Sequence, residues 1–208
     1  TGSTITGDVT VAGAIKAADT DAATTINIGG TDTATNVKVS NVNLNADSTL
    51  AVQQGSTLTL QSTSAVQPAS VTAQVAATNA TIASNGPAEI NGTVSLTDAA
   101  LQSQAGVLSV DSIATSGTST VSGNVNAGAI TAASDNAANL NLAGAALSAS
   151  SVDLNGGEVA LTSGSALSLN DAGDVNAAIN ATNGSTVATT GTTAIKENVT
   201  LADSNIQA

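Results

Sequence analysis

The chain offers few side chains that could carry out chemistry. Its 208 residues include no His and no Cys, so catalysis would depend on carboxylates, Ser or Lys. Two acidic pairs stand close together, Asp19 with Asp21 and Asp171 with Asp174. Calcium takes about six to eight oxygen ligands, and neither pair continues into a loop with a further carboxylate at the required spacing. We therefore expect solvated turn residues here, and no catalytic residue, metal site or cofactor.

The charges of the chain restrict its partners. Three Lys and 15 Asp or Glu give a formal net charge of −12. Lys16, Lys38 and Lys196 are too few to neutralise a nucleic-acid backbone or an anionic membrane surface. No apolar run approaches the roughly 18 residues of a membrane-spanning helix. We expect no nucleic-acid partner and no membrane insertion.

The apolar residues predict a narrow core. The chain is 41% apolar but contains no Phe, Trp or Tyr, the side chains that usually supply the largest single burials. Ala, Val, Ile and Leu can fill an interior a few side chains wide. With only 9% charged residues, the composition is also unlike that of a disordered chain.

An internal duplication runs along the sequence. The matching segments are 3–9 with 119–125, 13–18 with 128–133, 26–28 with 140–142, 40–45 with 150–155, 55–60 with 164–169, and 94–98 and 101–102 with 199–203 and 206–207. We expect one copy over residues 1–118 and a shorter copy over 119–208, stacked as one continuous rod. Residues 104–118 have no counterpart after the second copy. We therefore expect either that the sequence is part of a longer array of repeats or that this end of the rod meets another subunit.

Within each copy the hydrophobic period is two, which predicts β-strands. Leu58 and Leu60 would point inward and leave Thr57 and Thr59 on an outer face. Aliphatic residues also recur about every eight positions, as in the series Val42, Leu50, Leu58 and Val66. This spacing favours an all-β fold, a right-handed parallel β-helix (β-solenoid) with three faces and coils of about 20–24 residues. Its length would be about nine coils. A β-sandwich is the alternative, but it would have longer strands and usually buried rings.

The sequence also allows predictions for the turns between strands and for the two ends of the solenoid. Gly29-Gly30 and Gly156-Gly157 would turn the chain with positive φ. No amphipathic capping helix is evident at either terminus, so we expect uncapped ends that neighbouring sequence or another subunit covers. No leader-like segment precedes Thr1, which fits either a mature product or a fragment.

Four Thr-x-Thr pairs form the remaining candidate surface, an outward ladder that could bind ice. The pairs are Thr4/Thr6, Thr33/Thr35, Thr57/Thr59 and Thr118/Thr120. A ladder requires the pairs to recur once per coil on one face, and their spacing does not meet that requirement. The preference of Thr for strands explains them equally well.

Residues 154–179, LNGGEVALTSGSALSLNDAGDVNAAI, resemble a known class of repeats. They are similar to the Leu/Gly/Asn/Ala repeats of filamentous haemagglutinins and autotransporter passengers, and to the β-strand repeats of bacterial surface and S-layer-like proteins. The resemblance implies a secreted or cell-surface right-handed β-helix that adheres, coats or extends. A second resemblance, through residues 5–9 and 12–15, is to the bactofilins, which are cytoplasmic β-solenoid polymers.

Two functions follow from these observations. The first is a structural component of an extracellular fibre, sheath or surface layer, with the chain itself as partner in a homopolymer or longer array. The second is an adhesin stalk or binding module whose outer face recognises a cell-surface glycan or host receptor. Sugar sites usually include an aromatic platform, which this chain lacks. An enzyme is not expected, since β-helix enzymes of the pectate-lyase type usually combine Arg or Lys with carboxylates in a cleft.

Overall fold

The structure is a computed structural model that describes residues 2–17, 22–30, 32–62, 67–170 and 173–208. These residues form β-strands, turns and bends, and none of them lies in a helix. It follows that the described ranges hold no helix with the length and apolar character needed to cross a membrane.

Twenty strands, most of them short, follow one another along the described chain. They are β1 (Gly2–Ile5), β2 (Val9–Lys16), β3 (Thr25–Ile28), β4 (Asn36–Asn43), β5 (Thr49–Val52), β6 (Thr57–Gln61), β7 (Ala69–Thr72), β8 (Gln74–Thr78), β9 (Thr81–Asn85), β10 (Ala88–Thr97), β11 (Ala100–Ala105), β12 (Leu108–Ser116), β13 (Thr118–Ala132), β14 (Asn139–Ala149), β15 (Ser151–Thr162), β16 (Ala166–Leu169), β17 (Val175–Thr182), β18 (Thr186–Thr189), β19 (Val199–Ala202) and β20 (Asn205–Gln207). The pairings between these strands are all parallel and join them into one sheet. Several long strands bend and contribute to two faces or, in β13, to three.

Parallel pairing stacks the strands into three columns, which we name faces A, B and C. Face A contains segments 2–5, 25–28, 49–52, 74–78, 93–97, 112–116, 129–132, 151–153, 175–176 and the single bridge residue 195. Face B contains 9–11, 36–39, 57–61, 81–85, 100–105, 118–122, 139–143, 158–162, 178–182 and 199–202. Face C contains 14–16, 41–43, 69–72, 88–90, 108–110, 123–127, 145–149, 166–169, 186–189 and 205–207.

The chain therefore winds through about ten coils, each made of one segment from faces A, B and C in turn. The predicted all-β parallel solenoid is confirmed. The expected number of coils, about nine, was slightly low because several central coils are short. Leu108 and its neighbour in the next coil, Val125, are only 17 positions apart, whereas Val42 and Val71 are 29 apart. At about 4.8 Å per coil, the first and last coils lie about 43 Å apart.

Alternate residues of each strand point into the coil and form aliphatic columns. Leu58 and Leu60 of β6 are both 0% exposed, while Thr57 and Thr59, which alternate with them along the strand, are half-buried on the outer side. The period-two pattern thus predicted the direction of these side chains correctly. The column through Leu58 is built from Val9, Val37, Leu58, Ile82, Leu101, Val121, Leu142, Leu161, Ala181 and Leu201, one residue from each coil. The core is this narrow stack, which explains why a chain without aromatic residues can fill it.

Residues that the duplication equates do not lie on the same face. Each residue of the second copy lies five full coils and then one more face further along the rod than its counterpart in the first copy, with the faces taken in the order A, B, C. The counterparts are Ile26 on face A with Leu140 on face B, Leu58 on face B with Leu167 on face C, and Val42 on face C with Val152 on face A. The expected boundary between the copies, at residues 118 and 119, falls inside the sheet at the start of β13.

The turns follow the same one-face shift. Gly55 turns the chain from face A to face B with φ 73°, and its counterpart Gly164 turns it from face B to face C with φ 71°. Asp98 and its counterpart Asp203 have φ values of 48° and 53° at the corresponding corners. Gly29 and Gly156 have positive φ, as expected, whereas the same expectation was wrong for Gly30 and Gly157, neither of which has a φ in the left-handed region. Gly157 serves a different purpose, because a Cβ at this position would lie 1.9 Å from the carbonyl oxygen of Ala138.

The alternation of inward and outward residues can be tested with one charge placed on either side of β6. Leu58→Asp puts a carboxylate in the apolar column without a partner, and we expect a loss of about 3 kcal/mol or more in the free energy of unfolding. Thr59→Asp adds the same charge to the outer side, where the neighbouring residue in the preceding coil is Lys38. Its effect should stay below about 1 kcal/mol. Urea unfolding followed by circular dichroism measures both, and equal midpoints would contradict the assigned facing.

Candidate functional site

Five of the buried hydroxyl groups lie at corners between faces. Each accepts a hydrogen bond from a backbone N–H of the preceding coil, at a point where the chain turns and the regular pairing is interrupted. These bonds run from Gly7 N to Thr35 Oγ1 (3.2 Å), Thr24 N to Ser48 Oγ (3.0 Å), Thr35 N to Ser56 Oγ (3.0 Å), Ala99 N to Ser119 Oγ (3.4 Å) and Ala145 N to Ser165 Oγ (3.2 Å). The corner hydroxyls therefore provide acceptors for backbone N–H groups in the interior of the rod.

The corner hydroxyls were not predicted from the sequence, although a signal for them exists. Ser56 and Ser165 are 1% and 0% exposed, and each follows a positive-φ glycine and precedes a strand with two inward Leu residues. The two serines are also counterparts in the duplication. A Gly-Ser pair directly before an aliphatic pair was therefore the available signal.

The four Thr-x-Thr pairs do not share one outer ladder. Thr4 lies on face A, whereas Thr57/Thr59 and Thr118/Thr120 lie on face B three coils apart. Thr35 was expected to point outward, and this was wrong, because its side chain is 0% exposed and its Oγ1 accepts the Gly7 N–H. The corner needs a buried acceptor there, which β-propensity alone does not predict.

Of the two acidic pairs, Asp174 is the member that the structure describes, since Asp19, Asp21 and Asp171 lie outside the described residues. Asp174 Oδ2 is 2.8 Å from Lys196 Nζ, and both side chains are about half exposed. The hydrogen bond from the Lys196 ammonium and its positive charge hold the pKa of Asp174 below its usual value. The same hydrogen bond and the carboxylate charge raise the pKa of Lys196. Being exposed, this ion pair links two coils without forming a reactive centre.

The acidic side chains that the structure describes do not form a cluster. No three of them come together in a group that could hold a metal ion. A depression of about 350 Å³ on the outer surface is lined by Ser40, Asn41, Gln61, Gln67, Pro68, Ala69 and Ser70, none of which titrates. A second depression, of about 330 Å³, includes Asp8 and Lys38. Asp8 Oδ1 accepts a hydrogen bond from Asn36 Nδ2 at 2.9 Å, so this carboxylate joins the first two coils.

The last coil differs from the others in its aliphatic residues. Val199, Leu201 and Ile206 are 38%, 42% and 42% exposed. Their counterparts in the first copy, Val94, Leu96 and Leu101, are each 0% exposed because the following coil covers them. Coil ten thus presents an apolar face together with the unpaired backbone edge of β19 and β20.

Comparison with known proteins gives no match to a protein family, to a curated protein or to a solved structure. The class of protein is therefore defined by the fold, a parallel β-solenoid. The fold and the outer faces are the features on which a function can be argued.

The corner hydroxyls can be tested by removing one of them. Ser165→Ala leaves the buried Ala145 N–H without its acceptor, so we expect a loss of about 1–3 kcal/mol in the free energy of unfolding. Ser168→Ala, on the outer side of the strand in the same coil, is the matched control and should cost less than about 0.5 kcal/mol. Thermal and urea unfolding measure both, and a Ser165→Ala protein as stable as its control would contradict the role of the hydroxyl.

The ion pair predicts a titration. The pKa of Asp174 is lowered, so the pair adds stability above the ordinary pKa of a carboxyl and loses it as the pH falls through the lowered value. Carboxyl carbon chemical shifts measured by NMR should show Asp174 titrating below 3.8, its ordinary value. In Lys196→Gln the midpoint should rise towards that value. An unchanged midpoint in the variant would show that Lys196 does not cause the shift.

Proposed function

We propose that the chain is a structural component of an extracellular fibre, sheath or surface layer, and that it acts as a rod that meets further copies through the solenoid ends. The observation that carries this proposal is the continuous stack of about ten parallel coils. Each coil inside the stack is paired with the coil before it and the coil after it. A rod of stacked coils is extended by the same contacts that hold it together.

The side chains of the chain support a structural role over a catalytic one. Five buried hydroxyl groups accept hydrogen bonds from backbone N–H groups at the corners. The one acidic residue paired with Lys in the described part, Asp174, is exposed and linked to Lys196 across two coils. Neither arrangement places a nucleophile beside a base, which is the geometry that covalent catalysis requires. We therefore propose a structural role and not an enzymatic one.

The extracellular location is part of the proposal and is supported by the sequence. The Leu/Gly/Asn/Ala pattern of residues 154–179 is similar to repeats of secreted bacterial surface proteins. The net charge of −12 keeps a long rod with few other charges soluble.

Electron microscopy of the native source material tests the structural role. We expect long rods, ordered fibres or a surface lattice that an antibody against this chain decorates along its length. Decoration confined to isolated, compact and monodisperse particles would contradict the proposal.

A further inference from the structure

A third depression lies on the side of the rod, near its middle. It has a volume of about 320 Å³ and spans three successive coils at the corner between faces A and B. Paired coils lie on both sides of these three, so the shape of this region does not arise from an end of the rod. The volume is at the lower end of the roughly 300–1,000 Å³ that small-molecule sites occupy.

The small side chain of Ala100 creates this depression. On the outer side of face B, Thr81, Ala100 and Thr120 occupy one column in three successive coils. The methyl group of Ala100 leaves space between the two threonines, which are two strand separations, or about 10 Å, apart. Ala80 and Ala99 also line the space, so its floor is apolar. We call it the Ala100 depression.

Four uncharged polar side chains surround the alanines. Asn79 supplies an amide group, and Thr81, Thr118 and Thr120 supply hydroxyl groups. Asn79 and Thr118 are exposed, and the other two are half-buried. None of the four side chains hydrogen-bonds to another residue in the part of the chain that the structure describes. Their donors and acceptors are therefore all available to a ligand.

The structure fixes the position of one carboxylate at the edge of the Ala100 depression. Asp98 Oδ1 accepts a hydrogen bond from the backbone N–H of Thr118 at 2.9 Å. The carboxylate lies against Gly117, where a Cβ would be 2.2 Å from Oδ1. Gly117 has a φ of 63°, so glycine suits both the backbone and the space that Asp98 needs. Because Oδ1 is bound to the backbone, Oδ2 is the oxygen that can accept a hydrogen bond from a ligand.

We propose that the Ala100 depression binds one ring of a neutral saccharide. The C–H face of the ring lies on the alanines, and its hydroxyl groups hydrogen-bond to Asp98, Asn79 and the surrounding threonines. Calcium is a poorer match, since it takes about six to eight oxygen ligands and Asp98 is the one carboxylate among the described lining residues. The inference goes beyond the proposed structural role, because the depression is separate from the ends of the rod.

The chemistry of the Ala100 depression also limits its affinity. The site is shallow, and its floor consists of methyl groups in place of an aromatic ring, so a bound sugar buries little apolar surface. We therefore expect a dissociation constant in the millimolar range for a single sugar.

NMR titration of isotope-labelled protein tests the inference. The probes are D-glucose, D-galactose, D-mannose, L-fucose, N-acetyl-D-glucosamine and N-acetyl-D-galactosamine, each at millimolar concentrations, with calcium chloride as a separate titration. We expect at least one sugar to shift the amide signals of Asn79, Asp98 and Thr120 in a saturable manner. The absence of such shifts with every sugar would overturn the inference, and so would saturable shifts at these residues with calcium chloride alone.

Filling the Ala100 depression provides a matched pair of variants. Ala100→Thr introduces the residue that both neighbouring coils carry in this column, so the circular dichroism should not change. The new side chain occupies the place of the sugar, and the dissociation constant should rise by about tenfold or more. Ala160→Thr is the control, because Ala160 lies in the same column three coils further along. Equal binding by the two variants would overturn the inference.

The carboxylate is tested by Asp98→Asn, which keeps an acceptor oxygen for the Thr118 N–H and removes the charge. We expect binding to weaken by about tenfold, because hydrogen bonds to a charged acceptor are the stronger ones. Asp203→Asn, at the corresponding corner of the second copy, should leave binding unchanged. Unchanged binding by Asp98→Asn would overturn the proposed geometry. Fibres formed by Ala100→Thr protein would still uphold the structural role, so the two proposals can fail separately.

Discussion

The parallel pairing between successive coils is the interaction on which the whole structure depends. A single coil of three short strands has no backbone partner within itself, and its inward side chains have nothing above or below them. Only stacking satisfies both requirements, because it pairs the peptide groups and brings residues such as Leu58 and Ile82 into one column. The stability of any coil is thus a property of its neighbours, as in other solenoids. The first and last coils are each supported from one side.

The sequence predicted the strands well because their cause is local. The alternation around Leu58 and Leu60 appears directly in the residues, and it determined the direction of the side chains. The number of residues in a coil was harder to predict, because turns of different length can connect the same three faces. Val71 follows Val42 by 29 positions and Val125 follows Leu108 by 17, yet each pair occupies neighbouring coils. Thr35 was assigned the wrong direction because its burial depends on a backbone N–H contributed by the preceding coil.

The one-face shift between the copies shows that the three faces are interchangeable. A Leu-x-Leu segment occupies face B at Leu58 and face C at its counterpart Leu167, and both residues are fully buried. The cross-section therefore does not assign a particular sequence to a particular side of the rod. A surface feature present in both copies would face two directions about a third of a turn apart. The corner serines Ser56 and Ser165 are such a repeated feature, although an internal one.

Coils stack along the rod within a molecule, and we propose that they continue to stack in the same direction between molecules. X-ray fibre diffraction from oriented assemblies of the protein measures this direction. Such stacking predicts a sharp reflection at about 4.8 Å on the fibre axis, since strand separation then runs along the fibre. A reflection of that spacing perpendicular to the axis would mean that the rods lie across the fibre, and it would contradict the claim.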